Sequence, residues 1–220
     1  MRHLVFILSF FMCFPLFVNA QENVSTDNDT TSLSPDVLAT IKEKWLEHNH
    51  REQVTSIANI DFGTSREKAE KMLRKKYGTP SYLSSADKIL FTNVKYAGID
   101  FNSLYFLFQS DGEKTYLNGC IFVINVNDYQ SALSKEKDLA YVLSKKYSSV
   151  ISDVDDNGNP CHLCGVSPLW DGTMEGLITA ACAIRTNILM YDENVAKNAS
   201  VGPYAVRLIY GPFDYVKEEF

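Results

Sequence analysis

Three runs between residues 88 and 126 restrict most tightly what this chain can fold into. "KILFTNV" (88–94), "IDFNSLYFLFQ" (99–109) and "TYLNGCIFVINV" (115–126) are dense in β-branched and aromatic residues. Gly98 and "SDGEK" (110–114) punctuate them. Such runs, separated by turn residues, read as an antiparallel meander. The 12 Tyr and 13 Phe of the 220-residue chain suit strands and a well-filled core.

Ahead of the meander, Thr64 with Glu67 three residues on has the pattern of a capping box. Ala69, Met72, Leu73 and Tyr77 then recur as the buried stripe of a helix that Gly78 and Pro80 stop. Its Lys and Arg residues, 66–76, read as a solvated face or as a patch for an anionic ligand. An earlier helix is expected from Ser34 as N-cap and Pro35 to about His48, on Leu38, Ile41 and Trp45.

The pattern then restarts. A shift of 70 residues maps Thr64 to Ser134, Ala69 to Leu139, Met72 to Val142, Leu73 to Leu143 and Tyr77 to Tyr147. Strand-like segments follow again: "VISDV" (150–154), "CHLCG" (161–165), "GLITAACAI" (176–184) and "YAVRLIY" (204–210). The expected class is α+β, with helices packed on an antiparallel sheet. The expected build is two helix-plus-meander units of about 70 residues, at 57–126 and 127–210.

The first 20 residues read as a signal peptide. Arg2 and His3 precede an apolar run from Leu4 to Val18, and small residues flank a cut after Ala20. Residues 21–33 read as a disordered leader, and 34–220 as one α+β domain. The expectation is an exported chain, periplasmic or secreted, without a transmembrane segment. Cys13 lies inside the apolar run, which argues against a lipoprotein. The formal charge of −6 argues against sequence-independent binding of nucleic acid.

"NPCHLCG" (159–165) raises the question of chemistry. A redox Cys-x-x-Cys pair needs a helix N-terminus after the first thiol, and "GVSPLWDG" after Cys164 is not helical. On a strand, Cys161 and Cys164 face opposite ways. A zinc site lacks a second ligand pair. The remaining reading is structural. Cys161 and Cys164 lie across a hairpin from Cys182, so one of them is a disulfide candidate with it. Cys120 is either a core residue or the fourth partner. Asp153, Asp155 and Asn157 match the first half of a calcium loop, but Pro160 and Cys164 spoil the second half, so a solvated Asn-Gly turn competes with it. Trp170 with Asp171, and Phe213 with Tyr215, are the candidate binding residues, as aromatics on a loop and on the C-terminal tail. No catalytic motif and no cofactor fingerprint is found.

The run "IDFGTSREKAEKMLRKKYGTP", the later "YLNGCIFVI" and the closing "RLIYGPFDY" resemble a group of uncharacterised secreted bacterial proteins, over most of residues 57–220. The architecture is also similar to tandem-repeat folds of the β-lactamase-inhibitor-protein type and to the small lipoprotein of the outer-membrane barrel assembly machinery. No inhibitory or binding residue carries over from these, because no motif matches. The resemblance implies a binding module that acts through its sheet face or hairpin loops on a protein or glycan of the envelope. The expected function is therefore a non-enzymatic interaction module. An envelope thiol or hydrolytic enzyme centred on Cys161, His162 and Cys164 stands as the alternative, and a calcium-stabilised structural module as the second.

Overall fold

The computed structural model describes residues 53–213, apart from 113, 148–149, 156, 168–181, 193, 195 and 198–200. The expected signal peptide, leader and helix over 34–48 lie outside the described residues, as do Trp170, Asp171 and Tyr215.

The described residues begin with a small hairpin, β1 (Ser56–Ile57) and β2 (Ile60–Asp61), turned through Ala58 and Asn59 at positive φ. Helix α1 (Arg66–Tyr77) follows, then the meander β3 (Lys88–Tyr96), β4 (Ile99–Ser110) and β5 (Thr115–Val126). Helix α2 (Tyr129–Lys146) comes next. It leads to β6 (Ile151–Val154), β7 (Pro160–Val166), β8 (Cys182–Met190) and β9 (Tyr204–Tyr210). The seven strands β3 to β9 form one sheet in the order β3-β4-β5-β9-β8-β7-β6. Every neighbouring pair in it is antiparallel. The class is α+β, and mostly sheet.

Three expectations shift at the element ends. The capping box at Thr64 does not form: the N-cap of α1 is Ser65, with no side-chain cap bond. Thr64 is instead held by its backbone, where Leu117 N–H donates to its carbonyl at 2.9 Å and Gly63 N–H donates to Leu117 O at 2.7 Å. The N-cap of helix α2 lies six residues before Ser134. It is Asp128, whose carboxylate accepts from Ser131 N–H at 2.8 Å and from the Ser131 hydroxyl at 2.7 Å. Strand β8 runs from Cys182 to Met190 rather than over 176–184, and residues 176–181 lie outside the described set.

Period-2 alternation assigns the strand side chains to two faces. Phe91, Phe106, Phe122, Ile184 and Leu208 join Ala69 and Leu73 of α1 and Ala132, Leu139 and Leu143 of α2 in a single buried cluster. Both described helices therefore cover one face of the sheet. Phe122 sits at its centre, stacked on Tyr96 at 4.6 Å and tilted against Phe101 at 4.9 Å. Burying each such ring stabilises the fold by about 1.5–3 kcal/mol. Where β9 begins, Gly202 lies so close to the Val126 carbonyl that no side chain fits.

The core holds ionisable hydroxyls and a thiol in their neutral forms. Burial raises Tyr77, Tyr210 and Cys120 above their ordinary values. A group with a raised folded pKa contributes stability below its unfolded pKa, and that contribution is lost as pH rises towards the folded value. Unfolded Cys and Tyr titrate near about 8.5 and about 10. Urea denaturation should therefore show stability falling steadily above about pH 9, with the steepest loss above about pH 10. A profile flat to pH 12 would contradict the buried placement of these groups.

Candidate functional site

The least expected feature of the interior is an acid. Helix α2 meets the sheet through Ala132, Glu136, Leu139 and Leu143, an i, i+4, i+7, i+11 stripe. Glu136 occupies a position that an apolar residue would normally fill, and it is 0% exposed. Two neighbouring strands supply its partners. His162 on β7 brings Nδ1 to 2.6 Å from Glu136 Oε1. Thr186 on β8 donates its hydroxyl to the same oxygen at 2.6 Å. The Thr186 oxygen also accepts from the His162 backbone N–H at 2.9 Å, so a side chain stands in for a ladder bond between β7 and β8. Glu136 Oε2 is buried without a protein partner. The His162 side chain is 18% exposed. Chemically, this is an imidazole oriented by a carboxylate, with a threonine fixing the carboxylate in turn.

The cysteines form no disulfide: Cys120, Cys161, Cys164 and Cys182 are all unbridged. The expected hairpin does form, and its register explains why the disulfide does not. Cys164 pairs with Ile184, and Cys182 pairs with Val166. Cys164 and Cys182 share a face but stand diagonally, about 7–8 Å apart at Cα. A disulfide needs Cβ atoms about 3.5–4.5 Å apart. Cys161 and Cys164 face opposite ways, since Cys164 belongs to the helix-side core and Cys161 does not. Cys120 lies fully buried in that core.

Burial leaves the Cys120, Cys161 and Cys182 thiols unactivated. Burial pushes Cys161 up to about 11, with the Asp153, Asp155 and Glu136 carboxylates adding to the effect. Burial alone pushes Cys182 up to about 11. A thiol of this kind is a poor nucleophile at neutral pH.

The acidic run before β7 forms a turn. Asp155 Oδ1 accepts from the backbone N–H groups of Asn157 and Asn159, each at 2.9 Å, and Oδ2 accepts from Asn159 Nδ2 at 3.2 Å. Asp153 Oδ1 accepts from Val154 N–H at 2.8 Å. Gly158 supplies the positive φ. This is a side-chain-stapled Asx turn, with the carboxylate oxygens committed to the chain itself. Among the described residues, no group of three or more His, Cys, Asp or Glu side chains is arranged to hold a metal.

Phe213 is not an exposed anchor. It packs edge-on against Phe62 at 4.6 Å, and its N–H donates to Asn118 O at 2.8 Å. It joins the small β1–β2 hairpin to the core.

The sheet face away from the described helices has a different character. Tyr105, Leu107, Ile121, Leu189 and Arg207 are half-buried there, and Arg185 is exposed. The register places Arg185 opposite Ile209 and Asn187 opposite Arg207, so the two arginines are diagonal neighbours. Arg207 Nε donates to Asn187 Oδ1 at 2.9 Å. Burial holds the Arg207 guanidinium below the usual arginine range, and Arg185 adds to this.

Compared with family models, with curated proteins and with solved structures, the chain finds no match in any of the three. Sequence reading missed Glu136 and Thr186. The available signal was a glutamate in register with Ala132, Leu139 and Leu143.

Two outcomes follow from this geometry. Thr186→Val removes both a donor to Glu136 and the acceptor of the His162 N–H, and should cost about 1–3 kcal/mol in urea denaturation; a loss below the error of that measurement would contradict the network. In the folded protein, Cys161 and Cys182 should react with iodoacetamide far more slowly than free cysteine at pH 7.5, and accelerate only as pH approaches 11. Peptide mapping reads each site, and fast labelling of Cys161 at neutral pH would contradict its assigned environment.

Proposed function

We propose that this chain is an exported, non-enzymatic protein-binding module of the cell envelope, and that it docks through the sheet face opposite its helices. The observation that carries the reading is the make-up of that face. Tyr105, Tyr191, Arg185 and Arg207 are interspersed with the partly exposed apolar Leu107, Ile121 and Leu189, over a floor of buried Leu90, Val123 and Ile209. Tyr and Arg are the residues that most often dominate binding energy at protein interfaces. A rigid sheet presents them at low entropic cost.

The two-unit reading supports a broad face. In each proposed unit, 57–126 and 127–210, a helix precedes an antiparallel meander, and the last strands β5 and β9 pair at the middle of the sheet. The competing reading is a thiol or hydrolytic enzyme at Cys161, His162 and Cys164. The carboxylate-held imidazole favours it; the unactivated Cys161 and the opposite facing of the two thiols weigh against it. Calcium stabilisation is disfavoured by the turn that Asp155 staples.

Site-specific photocrosslinking in the exporting cell tests the docking face. A photoreactive residue at Leu107 or Ile121 should give a discrete protein adduct, whereas one at Ser144 on the outer surface of α2 should not. Adducts of equal yield from both surfaces, or from Ser144 alone, would reject the assignment.

A further inference from the structure

The two helices carry a charge opposite to that of the chain. The chain is acidic, at −6. Helices α1 and α2 together hold ten of its 21 Lys and Arg residues, against Glu67, Glu70, Asp138 and the buried Glu136. Eight of the ten cations are lysines, and all eight are exposed. Both arginines are engaged locally: Arg74 bonds Glu70 through Nε at 2.9 Å and Nη2 at 2.7 Å, and Arg66 Nη1 donates to Ala86 O at 2.8 Å. Lys68, Lys71 and Lys75 recur at i, i+3 and i+7, which lines them along one outer ridge of α1.

Apolar side chains accompany this basic surface. Six large apolar residues are exposed among the described ones, and Met72, Tyr82, Leu83 and Tyr141 belong to the two helices or to the loop that leaves α1. Tyr82 is 92% and Leu83 57% exposed. Their loop is well tied. Ser81 N–H donates to Leu90 O at 2.7 Å, Leu90 N–H to Ser84 Oγ at 3.0 Å, and Ser85 N–H to Lys88 O at 2.9 Å. The Arg66–Ala86 bond holds the loop beside the first turn of α1. Tyr82 and Leu83 are therefore held out into solvent by a braced backbone.

We infer that this helix-side surface docks on an anionic phospholipid bilayer, with the lysine ridge on the headgroups and Tyr82 and Leu83 entering the interface. The charge complementarity is to a diffuse negative surface. Lysines are depleted at protein interfaces but effective against anionic lipid, each attracted within a Debye length of the membrane. Tyrosine and leucine on a basic surface are the residues that partition into the headgroup layer. The protein-docking sheet face then points away from the membrane.

Vesicle co-sedimentation of the mature protein tests this. Binding is expected to vesicles of phosphatidylcholine mixed with phosphatidylglycerol, to fall with added salt, and to be absent with phosphatidylcholine alone. Neutralising Lys68, Lys71 and Lys75 together to Gln should weaken the partition coefficient by roughly 100-fold, at about fivefold per lysine. Tyr82→Ser with Leu83→Ser should weaken the part of binding that survives salt. All five positions lie on the surface, and circular dichroism verifies that the variants fold. No binding to the anionic vesicles, equal binding to both lipid mixtures, or an unchanged triple variant would each overturn the inference. Salt-sensitive retention on heparin without vesicle binding would overturn it too.

Discussion

A carboxylate with no exposed surface stands in the middle of the face by which α2 meets the sheet, and the arrangement of the second half of the chain turns on it. Glu136 can be buried only because β7 and β8 bring His162 and Thr186 to the same oxygen. A buried acid stripped of such partners costs several kcal/mol, so this contact discriminates strongly among positions of the helix. Sliding α2 by one turn would bury the carboxylate among apolar side chains and leave His162 and Thr186 unanswered. Apolar packing alone tolerates such shifts far better, because Leu139 and Leu143 would find other apolar neighbours. Glu136 therefore contributes register more than net stability. Its unpartnered Oε2 marks the remaining cost.

The placement of the helices divides the surface into two kinds. With α1 and α2 both on one face, the aromatic core around Phe122 closes beneath them, and their outer sides become a lysine-rich, acid-poor layer. The opposite face keeps the alternate residues of β4, β5, β8 and β9, among them Tyr105, Ile121, Arg185 and Arg207. The two surfaces differ in kind. One carries exposed lysines beside the braced apolar tips Tyr82 and Leu83. The other carries aromatic and guanidinium groups on strands, among the buried Leu90, Val123 and Ile209.

Much of the fold was legible because its signals are local. The period and composition of 88–126 locate β3, β4 and β5, and Gly78 with Pro80 ends α1. What was missed depended on tertiary partners. Thr64 looks like a cap, but its backbone is held by Leu117 of β5. Asp128 begins α2 ahead of Ser134, because a good cap and a continuous stripe from Ala132 outweigh the resemblance to α1. Glu136 reads as a solvent residue until the strands that answer it are in place, and they lie 26 and 50 residues further along the chain. The cysteine pair illustrates the converse. Strand alternation alone separated Cys161 from Cys164, whereas the diagonal placement of Cys164 and Cys182 needed the register of β7 against β8.

The measurement that most directly tests the central claim, that one buried carboxylate stations α2 on the sheet, is a double-mutant cycle at Glu136 and His162. Urea denaturation of Glu136→Gln, His162→Phe and the double variant should give a coupling free energy of about 1–3 kcal/mol. Single-variant losses that add to within about 0.3 kcal/mol in the double variant would contradict it.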